Sequence, residues 1–504
     1  MSLRALVPAA AAAACLAASG CGDSGAGSPL DEALGYLPEN APFVAAVSTD
    51  IQGDQYEALD SLLKKFPFGG QVKDQVRQSI ESQGADFDKD VRPLLGNDLV
   101  VGTPDVASLQ RDDEQVIVAI ETKDGGKLKD LIEKEGGQDQ AKKVGESNGA
   151  TLYEGQSSFS AVKDDVLVVA DSREQVEKAL DQRDGDRRMT EERFDAALAG
   201  LPKDGLVEVA GDLQALLRAD PDTADARKVK WVGALRTFGA TGRVGRNEAA
   251  LDFNVKTEGS LSAADLPFAT GGQAPRVPGR ETNSPQVGFG LRNPAQVVKF
   301  GEQTGQAVDP GGFGDYQAGK NRLNKQLDID VDRDLIAQFE GDASVAVDPD
   351  GTFGARAEVR DPAALDKTVR KLARELPRLA RSTGGSGLAI SPPKGDEDLY
   401  GLATPDGQRF VFGVTDEVFV VANDPDRAAA LAKQPTTVPR GAQGSIAMNA
   451  DAGALASEVI SRASGGGIGG ALGGSLFTGP LGDLNGSIQT EPGGMRGRLR
   501  LAID

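Results

Sequence analysis

Two stretches of this 504-residue chain answer each other, and that pairing limits what it can fold into. The first is Asp86-Phe87-Asp88-Lys89-Asp90-Val91, then Leu94-Leu95-Gly96-Asn97-Asp98 and Leu99-Val100-Val101. The second is Asp328-Ile329-Asp330-Val331-Asp332-Arg333-Asp334-Leu335, then Gly341-Asp342-Ala343-Ser344-Val345-Ala346. Each runs from alternating Asp through a short apolar turn and a Gly-and-Asp break into a strand. With Asp86, Asp88 and Asp90 set against Asp328, Asp330 and Asp332, the flanking chain aligns outward. Val287 to Leu291 stands for Phe43 to Val47, and Leu399-Tyr400 for Leu152-Tyr153. Asp416 to Asn423 stands for Asp164 to Asp171, and Gly444 to Asp451 for Gly205 to Asp212. One matching strand is common by chance; an ordered run of them is not.

Short apolar strands joined by tight turns must run antiparallel, as in Phe159–Val162 and Val166–Ala170 around Lys163-Asp164-Asp165. Helical periodicity separates the hairpins, for example in Leu59, Leu62, Leu63 and Phe66. The expected fold class is α+β: a tandem duplication of an antiparallel-sheet domain with helices on one face. The expected divisions are a signal peptide over 1–20, a flexible tether over 21–36, a first domain over 37–257, a Pro/Gly-rich linker over 258–284 and a second domain over 285–504.

The amino terminus supports export. Arg4 precedes an alanine-rich apolar run, too short to span a bilayer, and small residues lead to Cys21. Ala18-Ser19-Gly20-Cys21 resembles the bacterial lipobox, which implies that Cys21 carries the lipid; Ala18 stands where leucine is usual. Cys15, the other cysteine, lacks a polar linker behind it. Gly22 to Ser28 is Gly/Ser-rich and flexible in composition.

Several chemistries are excluded. The chain has no histidine, so His-based triads and His metal ligands are absent. Both cysteines precede the folded body, which leaves it no disulfide and no thiolate cluster. The net charge of -21 repels nucleic acid and anionic lipid alike, which suits a tethered body held off the membrane.

The remaining motifs are weak. The Asp runs open like a calcium loop, but Val91 and Arg333 occupy the glycine position and Asn97 and Phe339 the closing acid. Local capping by the Asp side chains is the expected role. Ser61-Leu62-Leu63-Lys64 fits Ser-x-x-Lys without its partner motifs and reads as a surface serine. Gly465, Gly467 and Gly470 follow a helix rather than a strand, so a phosphate cradle lacks its context. That loop, with Leu472 and Phe477, is where the halves diverge most. Trp231, Tyr153 and Tyr400 read as core.

The Asp-x-Asp-x-Asp, Leu94-Leu95-Gly96-Asn97-Asp98 and Asp164-Asp165-Val166-Leu167-Val168-Val169-Ala170 elements, with Leu37-Pro38, resemble a bacterial envelope family catalogued as domain of unknown function 3352. The resemblance implies an exported, often membrane-attached protein without assigned chemistry, and it carries over no functional residue. The expectation is a lipid-anchored, non-enzymatic protein at the outer face of the cell membrane that binds an envelope protein or other component. No catalytic residue, cofactor or metal ligand is expected. A carrier for a lipid or other apolar molecule is the alternative, followed by a carboxylate-based hydrolase.

Overall fold

The computed structural model describes residues 27–82, 85–107, 115–134, 141–155, 158–280, 284–382, 389–393, 399–404, 406–463 and 478–504. The chain divides into two units. The first takes in the chain to Thr223, Leu235–Lys256 and Ile503–Asp504; the second takes in Ala224–Ala234 and Thr257–Ala502.

The first unit is built on β1 (Phe43–Val47), β2 (Leu99–Thr103), β3 (Ile117–Glu121), β4 (Lys142–Ser147), β5 (Ala150–Glu154), β6 (Phe159–Lys163), β7 (Val166–Ala170), β8 (Val207–Asp212), β9 (Leu235–Val244) and β10 (Glu248–Thr257). Their order across the sheet is β4-β5-β6-β7-β3-β2-β1-β8-β9-β10, antiparallel at every step from β4 to β9. Both faces are apolar along β7, Val166 to Ala170, so both need cover. On one face Val168 and Ala161 meet Val176 and Leu180 of the helix Arg173–Asp184. On the other, Val162 and Tyr153 meet Leu94 and Leu128, the latter on the helix Gly125–Lys134. Helices therefore lie on both faces of this sheet, not on one.

The second unit contains β11 (Val277–Pro278), β12 (Val287–Arg292), β13 (Asp342–Val347), β14 (Phe353–Glu358), β15 (Ala389–Ser391), β16 (Tyr400–Ala403), β17 (Arg409–Thr415), β18 (Val418–Ala422), β19 (Thr436–Thr437), β20 (Ile446–Asp451), β21 (Leu481–Glu491) and β22 (Gly494–Ile503). The main sheet runs β15-β16-β17-β18-β14-β13-β12-β20-β21-β22. Taken in chain order, this is the strand order of the first unit, position for position. β11 and β19 form a separate two-stranded ladder.

Two boundaries differ from the sequence reading. The expected tether contains the helix Pro29–Leu34, capped by the Ser28 side chain and opened by proline. Ala33, Leu34, Tyr36 and Leu37 are core residues, and Asp31 pairs with Arg188 at 2.8 Å. The expected linker is also packed. Leu266 and Val277 are fully buried, and β11 pairs with β19. Residues 224–234 join the second unit because Lys230 pairs with Asp265 at 3.0 Å and Trp231 meets Phe300 edge-on.

Candidate functional site

Strand pairing allows the same row of side chains to be followed across both sheets. In the first unit it reads Val209-Ala45-Val101-Val118-Val169-Ser160-Tyr153. In the second it reads Met448-Phe289-Val345-Ala355-Val421-Phe412-Tyr400. Directly paired residues share a face, so each row crosses one surface of its sheet. In the first unit Ala45, Val118, Val169, Ser160 and Tyr153 are buried. In the second none of the seven is buried, and Phe289 is 40% exposed.

The second row is also larger and more aromatic. Residues two positions along each strand lie on the same face, which adds Phe353, Phe410 and Phe419. Tyr400 and Phe412 have ring centroids 5.8 Å apart, and Phe353 and Phe410 6.1 Å. Phe339 meets Phe419 edge-on at 5.4 Å. Seven strands at the usual spacing make the row about 29 Å wide, and the helix Pro362–Ser382 packs on its β15 and β17 end. The other side of β12 is bare: a Cβ on Gly290 would stand 2.5 Å from the Arg276 carbonyl oxygen. The apolar bulk of that strand therefore projects to one side. Such a face can hold an apolar molecule against aromatic rings.

A second concavity, about 610 Å³, lies in the first unit where β1 ends and β2 and β8 begin. Its lining includes Asp50, Asp54, Asp98, Glu191, Asp204 and Glu208. Burial pushes the Asp98 carboxyl up, and Asp50, Glu191 and Asp204 push it further. Burial likewise raises Glu208, partly opposed by the Gly205 N–H and reinforced by Asp98. The two cations at the rim are engaged: Lys203 with Asp195 at 3.1 Å and Arg243 with Asp252 at 2.8 Å. In the second unit the residue equivalent to Asp98 is Asp342, which faces Arg292 at 3.6 Å. The first unit has Ser48 in that arginine's place. Among the described residues, no group of three or more potential ligands is arranged to hold a metal ion.

The Asp-rich elements are π-turns closed by their own side chains. The Asp86 amide donates to Asp90 Oδ2 at 2.9 Å, and the Lys89 amide to Asp86 Oδ1 at 3.0 Å. The Asp330 amide donates to Asp334 Oδ2 at 2.9 Å, and the Arg333 amide to Asp330 Oδ1 at 3.1 Å. Asp86 thus corresponds to Asp330, two residues beyond the match drawn from sequence. Asp328 is instead the left-handed residue ending the helix Pro310–Leu327. The middle Asp of each turn binds a cation from the preceding helix: Asp88 to Arg77 at 3.2 Å, Asp332 to Lys320 at 2.7 Å.

Ser61 donates to the Glu57 carbonyl and Lys64 pairs with Asp60, so the Ser-x-x-Lys pattern is a helix surface. Tyr153 is core, whereas Tyr400 is half-buried and Trp231 partly exposed. Cys15, Cys21, the signal segment, Gly465, Gly467, Gly470, Leu472 and Phe477 lie outside the described residues. Neither the apolar face nor the acidic cleft was marked by a motif. The apolar face had a signal: Phe410, Phe412 and Phe419 alternate in strands whose first-unit counterparts carry smaller residues.

Residues 2–221 match the family described as Protein of unknown function (DUF3352). The match supports the family resemblance over the first part of the chain. No curated protein matches. Among solved structures the chain is similar to crystal form III of TP0453, at 11% identity and a TM-score of 0.26, over 46% of this chain and 81% of that one. Crystal form I of the same protein has 12% identity and a TM-score of 0.26, over 47% and 82%. Among the described residues, no helix is long and apolar enough to cross a membrane.

Proposed function

We propose that this is an exported envelope protein, anchored through a lipid on Cys21, whose second unit carries a long apolar molecule on one sheet face. The observation that carries the reading is the cross-strand row from Met448 to Tyr400, partly exposed along its length and most at Phe289, while its first-unit counterpart is largely buried. Each methylene withdrawn from water onto such a face contributes about 0.8 kcal/mol, so a fatty chain is a natural cargo. The shared strand order supports descent of the two units from one duplicated segment, the first kept as a packed scaffold and the second opened for binding. The partner-protein expectation gives way to the carrier because aromatic rings spread over several strands suit a flexible chain.

Native protein extracted with organic solvent is expected to release a defined lipid-class molecule by mass spectrometry, at near-equal molar amount. An empty extract, with no uptake of a fluorescent fatty acid by the purified chain, defeats the carrier reading. Labelling with radioactive palmitate, lost on Cys21→Ala, tests the anchor separately.

The acidic cleft supports a second reading, carboxylate-based hydrolysis, because raised Asp98 and Glu208 stand among other acids. Turnover of a glycoside or ester, abolished by Asp98→Asn, is the result it requires.

A further inference from the structure

We propose that the helix Pro362–Ser382 docks the protein onto an anionic phospholipid surface through Lys367, Arg374 and Arg378. The helix carries six basic and two acidic residues, in a chain whose net charge is -21. Its apolar residues Leu365, Val369 and Ala373 are buried against the second unit. At 100° per residue, Lys367, Arg374 and Arg378 fall within a narrow sector on the opposite side. All three are exposed. Among the described residues, Lys367 and Arg374 have no ion pair, and Arg378 pairs only within the helix, with Glu375 at 3.2 Å. The row is straight and roughly 16 Å long, which fits a flat array of phosphates. The helix at the same place in the first unit, Gly125–Lys134, has three basic and two acidic residues and is less than half as long.

The occupant follows from charge. The acidic body as a whole is repelled by anionic headgroups, so a membrane-tethered protein would stand off unless one face were cationic. This helix supplies that face and selects which side meets the bilayer. Arg and Lys near an anionic leaflet each contribute on the order of a fivefold gain in binding, so the three together contribute on the order of a hundredfold. The inference is independent of any cargo on the apolar sheet face.

The test uses the full chain with Cys21→Ser, so that no acyl group contributes. Sedimentation with phosphatidylglycerol-containing vesicles in 0.1 M salt is compared with pure phosphatidylcholine vesicles. Retention on the anionic vesicles alone, weakening as salt rises, is expected. The variant Lys367→Gln, Arg374→Gln, Arg378→Gln should lose about a hundredfold in partitioning. A charge-matched control, Lys178→Gln, Arg187→Gln, Lys228→Gln, removes exposed cations elsewhere and should bind as the parent does. Circular dichroism melts confirm that both variants fold. Equal binding to neutral vesicles, no binding to anionic ones, or equal losses in the two variants overturns the proposal. So does helix-dependent retention on polyglutamate without retention on vesicles, which would assign the face to an acidic protein.

Discussion

Ala45 and Phe289 hold the same position on the central strands of their units, yet Ala45 is 7% exposed and Phe289 is 40% exposed. A small residue sits where the first sheet is closed, and a large ring where the second is open. Replacing Phe289 with Ala should therefore cost less than about 1 kcal/mol in stability, as a partly exposed site. It should weaken uptake of a fluorescent fatty acid several-fold, more so with Phe412→Ala. Ala45→Phe should overpack the first unit and cost about 1–3 kcal/mol in urea unfolding.

Asp98 should make the first unit more stable in mild acid than at neutral pH. Its carboxyl is raised in the folded state by burial and neighbouring acids, so between the unfolded value near 4 and the folded value the native protein binds the extra proton. Its contribution is complete below the unfolded value and is lost as pH rises through the folded one. Asp98→Asn should unfold at higher urea than the parent at pH 7, with the difference disappearing near pH 3.5. Ser48→Arg, which copies the Arg292–Asp342 arrangement, should recover part of the same stability at pH 7.

Lys320 is 8% exposed and binds Glu302 at 2.8 Å and Asp332 at 2.7 Å. Burial alone would lower its pKa, but hydrogen bonds to Asp332 and Glu302 outweigh that and raise it. Lys320→Met leaves two carboxylates facing each other without their cation. The loss should be about 2 kcal/mol, discounted from a fully buried pair because Asp332 is largely exposed. Urea unfolding followed by Trp231 fluorescence reads it out in the second unit.

Asp90→Ala and Asp334→Ala each remove the acceptor of the turn-closing amide and should cost about 1 kcal/mol apiece, the usual value of a cap. Calcium or a chelator should leave both melting curves unchanged, because the Asp oxygens that close the turns are taken by backbone amides. A calcium-dependent rise in melting temperature, abolished by Asp90→Ala, would contradict this.

The strands with apolar alternation were legible, as was the antiparallel arrangement: β7 and β18 read directly from Val166–Ala170 and Val418–Ala422. β4 was not, because Lys142–Ser147 is mostly polar and edge-like. The helix Pro310–Leu327 was hidden by four glycines. The Asp alignment slipped because a period-two pattern matches itself after a shift of two. Only the distance to the next strand fixes it, thirteen residues from Asp86 to Leu99 and thirteen from Asp330 to Ala343. The acidic cleft gathers residues from strand ends far apart in the chain, which no linear pattern marks. The apolar face was only half legible: the alternating Phe410, Phe412 and Phe419 mark its rings, but sequence does not show which of two similar sheets leaves that row less covered.

β12 carries Gly288 and Gly290 between Val287, Phe289 and Leu291, with the Arg276 carbonyl against the glycine side. A strand so made is a one-sided tool. Mutational drift on its glycine face is blocked by the chain lying there, while the face bearing Phe289 is free to change its chemistry. Over evolutionary time, substitutions in relatives should accumulate on that face first.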